Sequence, residues 1–401
     1  MERDVMDNTR KYFWITLLNN SSLLAPVLTF FYLSRGLDYS QIFILYTVIV
    51  VSMFIFEVPT GIFGDKFGRS KSIQLGLFGW IIFGIGLLFA HSFWFFFVLY
   101  VLFGINVTLS SGSDEALIYD SLKQTKKEKK MKKYMGKIIS AKFIPLIIIA
   151  PIGAIIAKGL TAFQLNILLM GNVIFAISAF FVSLALVEPK INTGPHEVRS
   201  PFKLFFSSLS DIKNSPALVK LFLNKTLILI PGMHIFALLW QPYLKESGIP
   251  VAGFGLLVAA GAAFIWFFAR KIEKIETIIS DRKLLFLTGV LPLIAFILAA
   301  FFRNILVALI FYFIIRIMVW AREPIFSHYM NQHIRSKNRA TVLSSLSMID
   351  SLFDVIIFLI AGFIADISIS YTFIFSAGVM LIALIFFGIR EKHIKDKKRV
   401  R

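Results

Sequence analysis

Ionisable side chains interrupt the apolar stretches of this sequence, and they are the residues best suited to chemistry. Asp114, Glu115 and Asp120 fall in one stretch and Lys142 in the next. Lys225 and His234 share a third, Arg316, Arg322 and Glu323 a fourth, and Asp350 and Asp354 a fifth. A charged side chain at bilayer depth costs roughly 3 kcal/mol on insertion scales, so such groups face a partner or a water-filled cavity. Two chemistries follow. Either the charges pair and hold helices together, or one or two carboxylates bind and release protons. A carboxylate removed from water holds its proton more tightly and exchanges it nearer neutral pH. Glu115 and Asp350 are the first candidates for proton carriage, followed by Asp114, Glu323 and Asp354. Glu115 or Asp114 is expected at the depth of Lys142, where a pair is sterically reasonable. Asp350 and Asp354 lie one turn apart on one helix face, and Arg316 and Glu323 share another. Lys142, Lys225, Arg316 and Arg322 are candidates for charge pairs or for contact with an anionic substrate.

Uncharged polar groups accompany them. Asn19-Asn20-Ser21-Ser22 lies in the first apolar stretch, and Asn224, Thr226 and His234 lie in the seventh. With Trp240, Gln241 and Trp320 they are candidate substrate contacts, or else helix–helix hydrogen bonds worth about 1 kcal/mol each. His234 has no neighbour at metal-ligand spacing. Without cysteine there is no disulfide framework and no thiolate metal site. No Gly-rich phosphate loop, His-Glu-x-x-His or Gly-x-Ser-x-Gly pattern occurs, so the expectation is a non-enzyme with no metal and no cofactor. Two glycosylation patterns, at Asn20 and Asn106, fall inside apolar stretches and are read as chance.

The elements that must position these groups are membrane helices. The chain has 401 residues, 57% of them hydrophobic, and a mean hydropathy of +0.78. Crossing a hydrocarbon core takes about 20 mainly apolar residues. Spans are expected at 12–34, 40–60, 72–91, 93–121, 136–157 and 161–187, then at 217–244, 250–269, 284–302, 304–330, 340–366 and 370–389. Met1 to Lys11 mixes acids and bases without a small-residue cleavage site, so the first stretch is expected to be a retained span.

The formal charge of +19 is distributed unevenly. Most of the 42 Lys and Arg fall at the N-terminus, in alternate loops, in the linker after span six and in the tail from Arg390. The opposite loops carry only Arg35, Lys158, Lys245 and Arg303. This bias follows the positive-inside rule and predicts a multi-pass protein of the plasma (cytoplasmic) membrane with both termini cytoplasmic. The basic loops suit anionic membrane lipid; a nucleic-acid partner, which would need the charge gathered on one face, is not expected.

The halves match. Glu115 and Glu323 are 208 residues apart, as are Asp65-Lys66 and Glu273-Lys274, and the runs at 153–157 and 362–366 are offset by 209. The expected architecture is therefore all-α, twelve transmembrane helices in two pseudo-symmetric six-helix bundles. Residues 1–187 form the first bundle, 188–216 a polar linker with an amphipathic piece near Phe202–Ser210, and 217–401 the second bundle with its basic tail.

The loop after span two reads Gly61-Ile-Phe-Gly64-Asp65-Lys66-Phe-Gly68-Arg69-Ser70-Lys71. Gly68 there supplies a backbone conformation that side chains disfavour, and Asp65 can pair with the neighbouring bases or cap a helix N-terminus. The loop resembles the signature of the major facilitator superfamily, Gly-x-x-x-Asp-Arg/Lys-x-Gly-Arg-Arg/Lys, at Gly61, Asp65, Lys66, Gly68 and Arg69. Ser70 departs from the usual base. The resemblance implies a latch that holds the cytoplasmic side in the outward-open state and releases as the halves rock. It also implies that spans one, four, seven and ten line a central cavity. Ala150-Pro151-Ile152-Gly153 in span five is similar, with spacing wrong by one, to the Gly-Pro run of the superfamily's antiporters. The function implied is secondary transport by alternating access, with proton-coupled efflux of a small amphipathic or drug-like substrate as the leading form and a monomer as the working unit. Uptake of a nutrient or anionic metabolite is the alternative. A non-transporting sensor or scaffold on the same fold is a third.

Overall fold

A computed structural model describes residues 5–189, 209, 212–278, 280–334 and 339–394. Every regular element among these residues is helical. Ten helical stretches are long and apolar enough to cross a bilayer, and two shorter apolar segments, Ala25–Ser34 and Val251–Phe267, accompany them. The shorter segments fall where sequence reasoning expects spans one and eight. Large apolar side chains such as Phe163, Trp94, Phe301 and Ile367 stand outward, an arrangement that water opposes and lipid accepts. By internal packing the chain forms two compact units, Met1–Glu197 with Pro250–Ala262 and Val198–Ile249 with Ala263–Arg401. The amphipathic piece expected near 202–210 lies almost wholly outside the described residues.

In the first unit, α1 (Asn8–Asn19) and α2 (Leu28–Ser34) are followed by α3 (Tyr39–Phe67), α4 (Arg69–Phe89), α5 (Phe93–Ser110) and α6 (Ser113–Gln124). Then come α7 (Met131–Ala141), α8 (Ile144–Ile156) and α9 (Ala162–Ser183). Capping boxes start α3, with Asp38 and Gln41, and α9, with Thr161 and Gln164. Three of the expected continuous spans are broken. Span one breaks after Asn19, where Asn20 Nδ2 and Ser21 Oγ donate back to the Thr16 and Leu17 carbonyls at 2.7 and 2.9 Å. Such side chains compete with the next backbone bonds and end the helix. Span four breaks at Gly112, whose φ is +74°. Span five breaks at Lys142–Phe143, just before Pro145, which has no N–H for the helical ladder.

The second unit holds α10 (Pro216–Leu229), a π-helical turn (Ile230–Ile235), α11 (Phe236–Glu246), and the later part of α12 (Phe254–Ile278). It continues through α13 (Asp281–Phe301), α14 (Ile305–Gln332), α15 (Arg339–Ile367) and α16 (Ile369–Phe386). Its core includes an aromatic column in which Phe311 meets Phe296, Tyr243 and Phe373 at ring distances of 5.1 Å. The stretch Pro216–Glu246 is the most enclosed of the ten, 72% buried, and also the least apolar. That combination is physical: a helix shielded from lipid can carry polar side chains, and this one carries Asn224, Lys225, Thr226 and His234.

Candidate functional site

The signature loop is built around the N-terminus of α4. Gly68, at φ +103°, joins α3 to α4. The Glu188 carboxylate, which follows α9, accepts from Arg69 N at 2.9 Å, Ser70 N at 2.8 Å and Ser70 Oγ at 2.5 Å. It places an anion on the positive end of a helix. A Cβ on residue 68 would stand 3.0 Å from that carboxylate, a tight contact the Glu188 side chain would have to give way to, so it is the positive φ that favours glycine. Arg69 pairs with Asp120 at the end of α6, which removes Asp120 from the intramembrane carboxylates. Asp65 and Lys66 are exposed on the last turn of α3, and the Lys66 ammonium lies 5.4 Å from the Phe67 ring. The cap that sequence reasoning gives to Asp65 is made here by Glu188, while Asp65 forms no hydrogen bond or ion pair among the described residues.

Asp114, Glu115 and Lys142 sit at helix breaks. Asp114 and Glu115 occupy the first turn of α6, and Lys142 is the C-cap of α7. Each charge therefore meets the helix end that favours its sign. Asp114 also accepts from Tyr12 OH at 3.1 Å and from Glu115 N at 2.7 Å. No Glu115–Lys142 or Asp114–Lys142 ion pair forms: the breaks compensate these charges separately. Asn19 is the last residue of α1, at the edge of the first break.

The second unit gathers the other ionisable candidates. Lys225 Nζ lies 2.7 Å from Glu323 Oε1. Thr226 Oγ1 donates to Asp350, and His234 Nδ1 is 2.8 Å from Asp354 Oδ1. Asp350 also lies within electrostatic range of Asp354, Lys225 and His234. The π turn contributes directly. One extra residue per turn shifts the helix register, a feature common at functional sites, and it sets His234 on the face that meets α15. On another side the Gly232 backbone approaches α14 so closely that a Cβ would stand 2.5 Å from Val319. Three carboxylates thus meet one lysine and one histidine. Even with the imidazole charged, one negative charge remains unmatched. No three of these groups converge as a metal cluster among the described residues.

Arg322 and Glu323, adjacent in sequence, part company. Arg322 is fully buried. It donates to Leu285 O and Thr288 Oγ1 at 3.0 Å, to Asn224 O at 3.3 Å and to Asn224 Oδ1, with its guanidinium 4.3 Å from the Phe326 ring centroid. Asn224 in turn donates to Ala383 O and Phe387 O, each at 3.0 Å. The two terminal amino groups of the planar fork are satisfied on neutral acceptors in this way, while its Nε is buried without a partner, and with Asn224 it ties α10, α13, α14 and α16. Arg322 is thus neither ion-paired nor open to a cavity. Beyond Asn224 and Leu285 a separate cavity of about 1020 Å³ is lined by Lys220, Arg282, Lys283 and Arg390, with Asp281 and Glu391. Arg316 is half-buried beside Tyr312, and its Nε is buried without a partner. Trp240 packs on Tyr312 at 5.3 Å, and Trp320 is half-buried on α14. The residues missing from the sequence reading are Thr288 and Glu188. Thr288 carries no charge to draw notice, and Glu188 reads as linker.

The family model described as Major Facilitator Superfamily matches residues 15–353. An uncharacterized MFS-type transporter, YxaM of Bacillus subtilis (strain 168), is 23% identical over 387 residues, 93% of each chain. Among solved structures, the nucleoside transporter NupG aligns with a TM-score of 0.75 at 13% identity, over 98% of this chain and all of the other. A POT family transporter in complex with 5-aminolevulinic acid aligns with a TM-score of 0.73 at 14% identity, over 96% of each chain. A bacterial homologue of the human lysosomal transporter Spinster gives a TM-score of 0.69 at 13% identity, over 98% of this chain and 97% of the other.

Proposed function

The chain belongs to the major facilitator superfamily, and from that premise we propose that it is a proton-coupled secondary transporter exporting a small amphipathic or drug-like compound by alternating access. That it is a multi-pass membrane transporter and not an enzyme follows from the family. The remainder is our reading. The observation that carries it is the surplus carboxylate in the second unit: Asp350 and Asp354, one turn apart, share their charge with His234, Lys225 and Glu323 at span depth. A group left with one unmatched negative charge in an apolar surround has room for one proton, and cargo movement can be linked to its loading. Twelve crossings are proposed, with Ala25–Ser34 and Val251–Phe267 completing spans one and eight. Both termini are proposed to be cytoplasmic, as the basic loops require. The Gly68–Glu188–Arg69–Asp120 constellation is read as the latch. Span five approaches Gly255 so closely that a Cβ there would lie 2.4 Å from Pro151 Cα, but its Ala150-Pro151-Ile152-Gly153 run departs by one position from the antiporter pattern and does not itself favour export.

The test is flux in reconstituted vesicles under an imposed pH gradient, with cationic, neutral and anionic compounds, for the native protein and for Asp350→Asn and Asp354→Asn. Gradient-driven flux that both variants retain would remove the carboxylates from coupling. A second reading, uptake of a nutrient or anionic metabolite, is favoured by the basic cavity lined by Lys220, Arg282, Lys283 and Arg390. It requires transport confined to the anionic members of the panel.

A further inference from the structure

Inside the first unit a second cavity, of about 270 Å³, opens at the break in span one. Its walls are rings: Tyr32, Tyr46, Trp80, Phe83, Tyr100 and Phe103. They brace one another edge to face, with Trp80 against Phe103 at 4.5 Å and Phe83 at 5.6 Å, and Phe83 against Tyr100 at 5.8 Å. Tyr32 and Tyr100 join hydroxyl to hydroxyl. Polar groups on the wall come from the broken segment and α9: Asn19, Ser22 and Asn172. No Asp, Glu, Lys, Arg or His lines the space.

The broken segment is held from behind. Asn172 Oδ1 accepts from Leu23 N at 2.8 Å, and Asn172 Nδ2 donates to Ser22 Oγ at 3.1 Å. Gly153 of α8 presses so near that a Cβ would stand 1.9 Å from Leu23 O. The wall is thus fixed before anything enters, which lowers the cost of binding. Two polar groups on it have no protein partner among the described residues: the Asn19 side-chain amide, at the exposed mouth, and the partly buried Tyr46 hydroxyl. A hydrocarbon tail would leave both unsatisfied, at a cost of about 1–3 kcal/mol each.

We propose that this cavity binds a neutral, planar aromatic or heteroaromatic group of one or two rings that presents hydrogen-bonding atoms at its edge to Asn19 and Tyr46. An apolar cavity of about 150 Å³ accepts benzene, and drug-sized ligands occupy about 300 Å³ or more, so the space suits a bicyclic head. Rings meet it edge to face and by offset stacking, and the absence of any basic side chain selects against anions, whose desolvation nothing here would offset. The inference deepens the transporter reading by naming the cargo's recognition group, and it rests on that reading for the ligand's being cargo.

The experiment is equilibrium dialysis of the purified full-length chain in detergent against 4-quinazolinone, a neutral bicycle with N–H and C=O on one edge. Caprolactam, which has the same edge without an aromatic ring, and quinaldate, a charged bicycle, serve as competitors. Quinazolinone is expected to bind and neither competitor to displace it. Tyr46→Phe is expected to weaken binding about fivefold, by one hydrogen bond, and Ala176→Phe, which fills the cavity, to abolish it. Size-exclusion profiles check folding, and Asn19→Ala substitutes if Ala176→Phe does not fold. Absence of binding, equal displacement by caprolactam, or unchanged affinity in a folded Ala176→Phe protein overturns the proposal. Gradient-driven flux that Ala176→Phe leaves intact overturns the cavity and spares the transporter. Cavity-dependent binding with no flux of any panel compound overturns the transporter and spares the cavity.

Discussion

Gly153→Ala puts the packing behind the span-one break to a quantitative test. The added Cβ would lie 1.9 Å from Leu23 O and 2.7 Å from Leu23 C, against about 3.4 Å for ordinary contact between heavy atoms. The carbonyl must retreat by about 1.5 Å, since backbone on both sides leaves no rotamer to absorb the clash. Overpacking of this kind costs about 1–3 kcal/mol. The retreat also pulls Leu23 N from Asn172 Oδ1, now 2.8 Å apart, for about 1 kcal/mol more. Alanine in a helix returns about 1 kcal/mol relative to glycine. The net is a destabilisation of about 1–3 kcal/mol, or about 5 °C in the melting temperature of a unit this size. Gly136→Ala is the control of opposite sign. Gly136 lies in α7 with nothing within 4 Å of its Cβ position, so only the helix-propensity gain applies and the protein should melt slightly higher. Thermal unfolding of both variants in one detergent reads the difference. A Gly153→Ala protein that melts at or above the native temperature, beside a Gly136→Ala protein that rises, would refute the close approach.

Three further outcomes follow from the site. Asp354→Asn is expected to abolish uphill flux driven by a pH gradient while leaving downhill exchange of cargo measurable, because the His234 contact at 2.8 Å survives as a neutral hydrogen bond; equal loss of both fluxes would mark Asp354 as structural. Glu188→Ala strips α4 of its anionic cap and should cost about 1–2 kcal/mol, with Glu188→Gln recovering part of it in thermal unfolding; identical melting of the two would show that the carboxylate charge does not matter. A double-mutant cycle of Lys225→Met and Glu323→Gln, scored by stability, should return a coupling of about 0.5–1 kcal/mol for the 2.7 Å pair, and strictly additive losses would argue that the two side chains do not meet.

The sequence made the membrane helices legible because an apolar run long enough to cross lipid has few other uses, and the family legible through five loop positions. What it concealed was continuity. Hydropathy makes span one a single helix from 12 to 34, yet Asn20 and Ser21 turn their side chains back on the preceding turn and end it. It carries spans four and five through Gly112 and Lys142, where the structure starts new helices. Hydropathy averages over such points, and two or three residues of altered backbone leave it unchanged. The charge partners were obscured for a related reason. Depth along a helix says nothing about azimuth, so Arg322 and Glu323, neighbours in sequence, take different partners: Arg322 meets Asn224 of α10 and Leu285 and Thr288 of α13, and Glu323 meets Lys225 of α10. The ring-lined cavity had no signal at all: in a chain with 44 Phe and 11 Tyr, six rings facing one space are invisible until the fold brings them together.

The breaks also bear on where a proton could be held. A carboxylate can be stabilised by an ion partner, by a helix N-terminus or by a proton, and the first two make the third unnecessary. In the first unit Asp120 has Arg69, Glu188 has the α4 N-terminus, and Asp114 and Glu115 have the first turn of α6, with Tyr12 donating to Asp114. Each of these four negative charges already has its compensation. In the second unit Glu323 takes Lys225 and Asp354 takes His234, so Asp350 has only the Thr226 hydroxyl, a neutral donor, as its hydrogen-bond partner, with Asp354 repelling it from one turn away and Lys225 and His234 attracting it more weakly from their own pairs. Adding a proton there removes a repulsion, whereas adding one to Glu115 would forfeit a favourable helix-end interaction. Within the proposed proton-coupled cycle, the electrostatics favour Asp350, with Asp354 and His234 beside it, over Glu115 as the carrier.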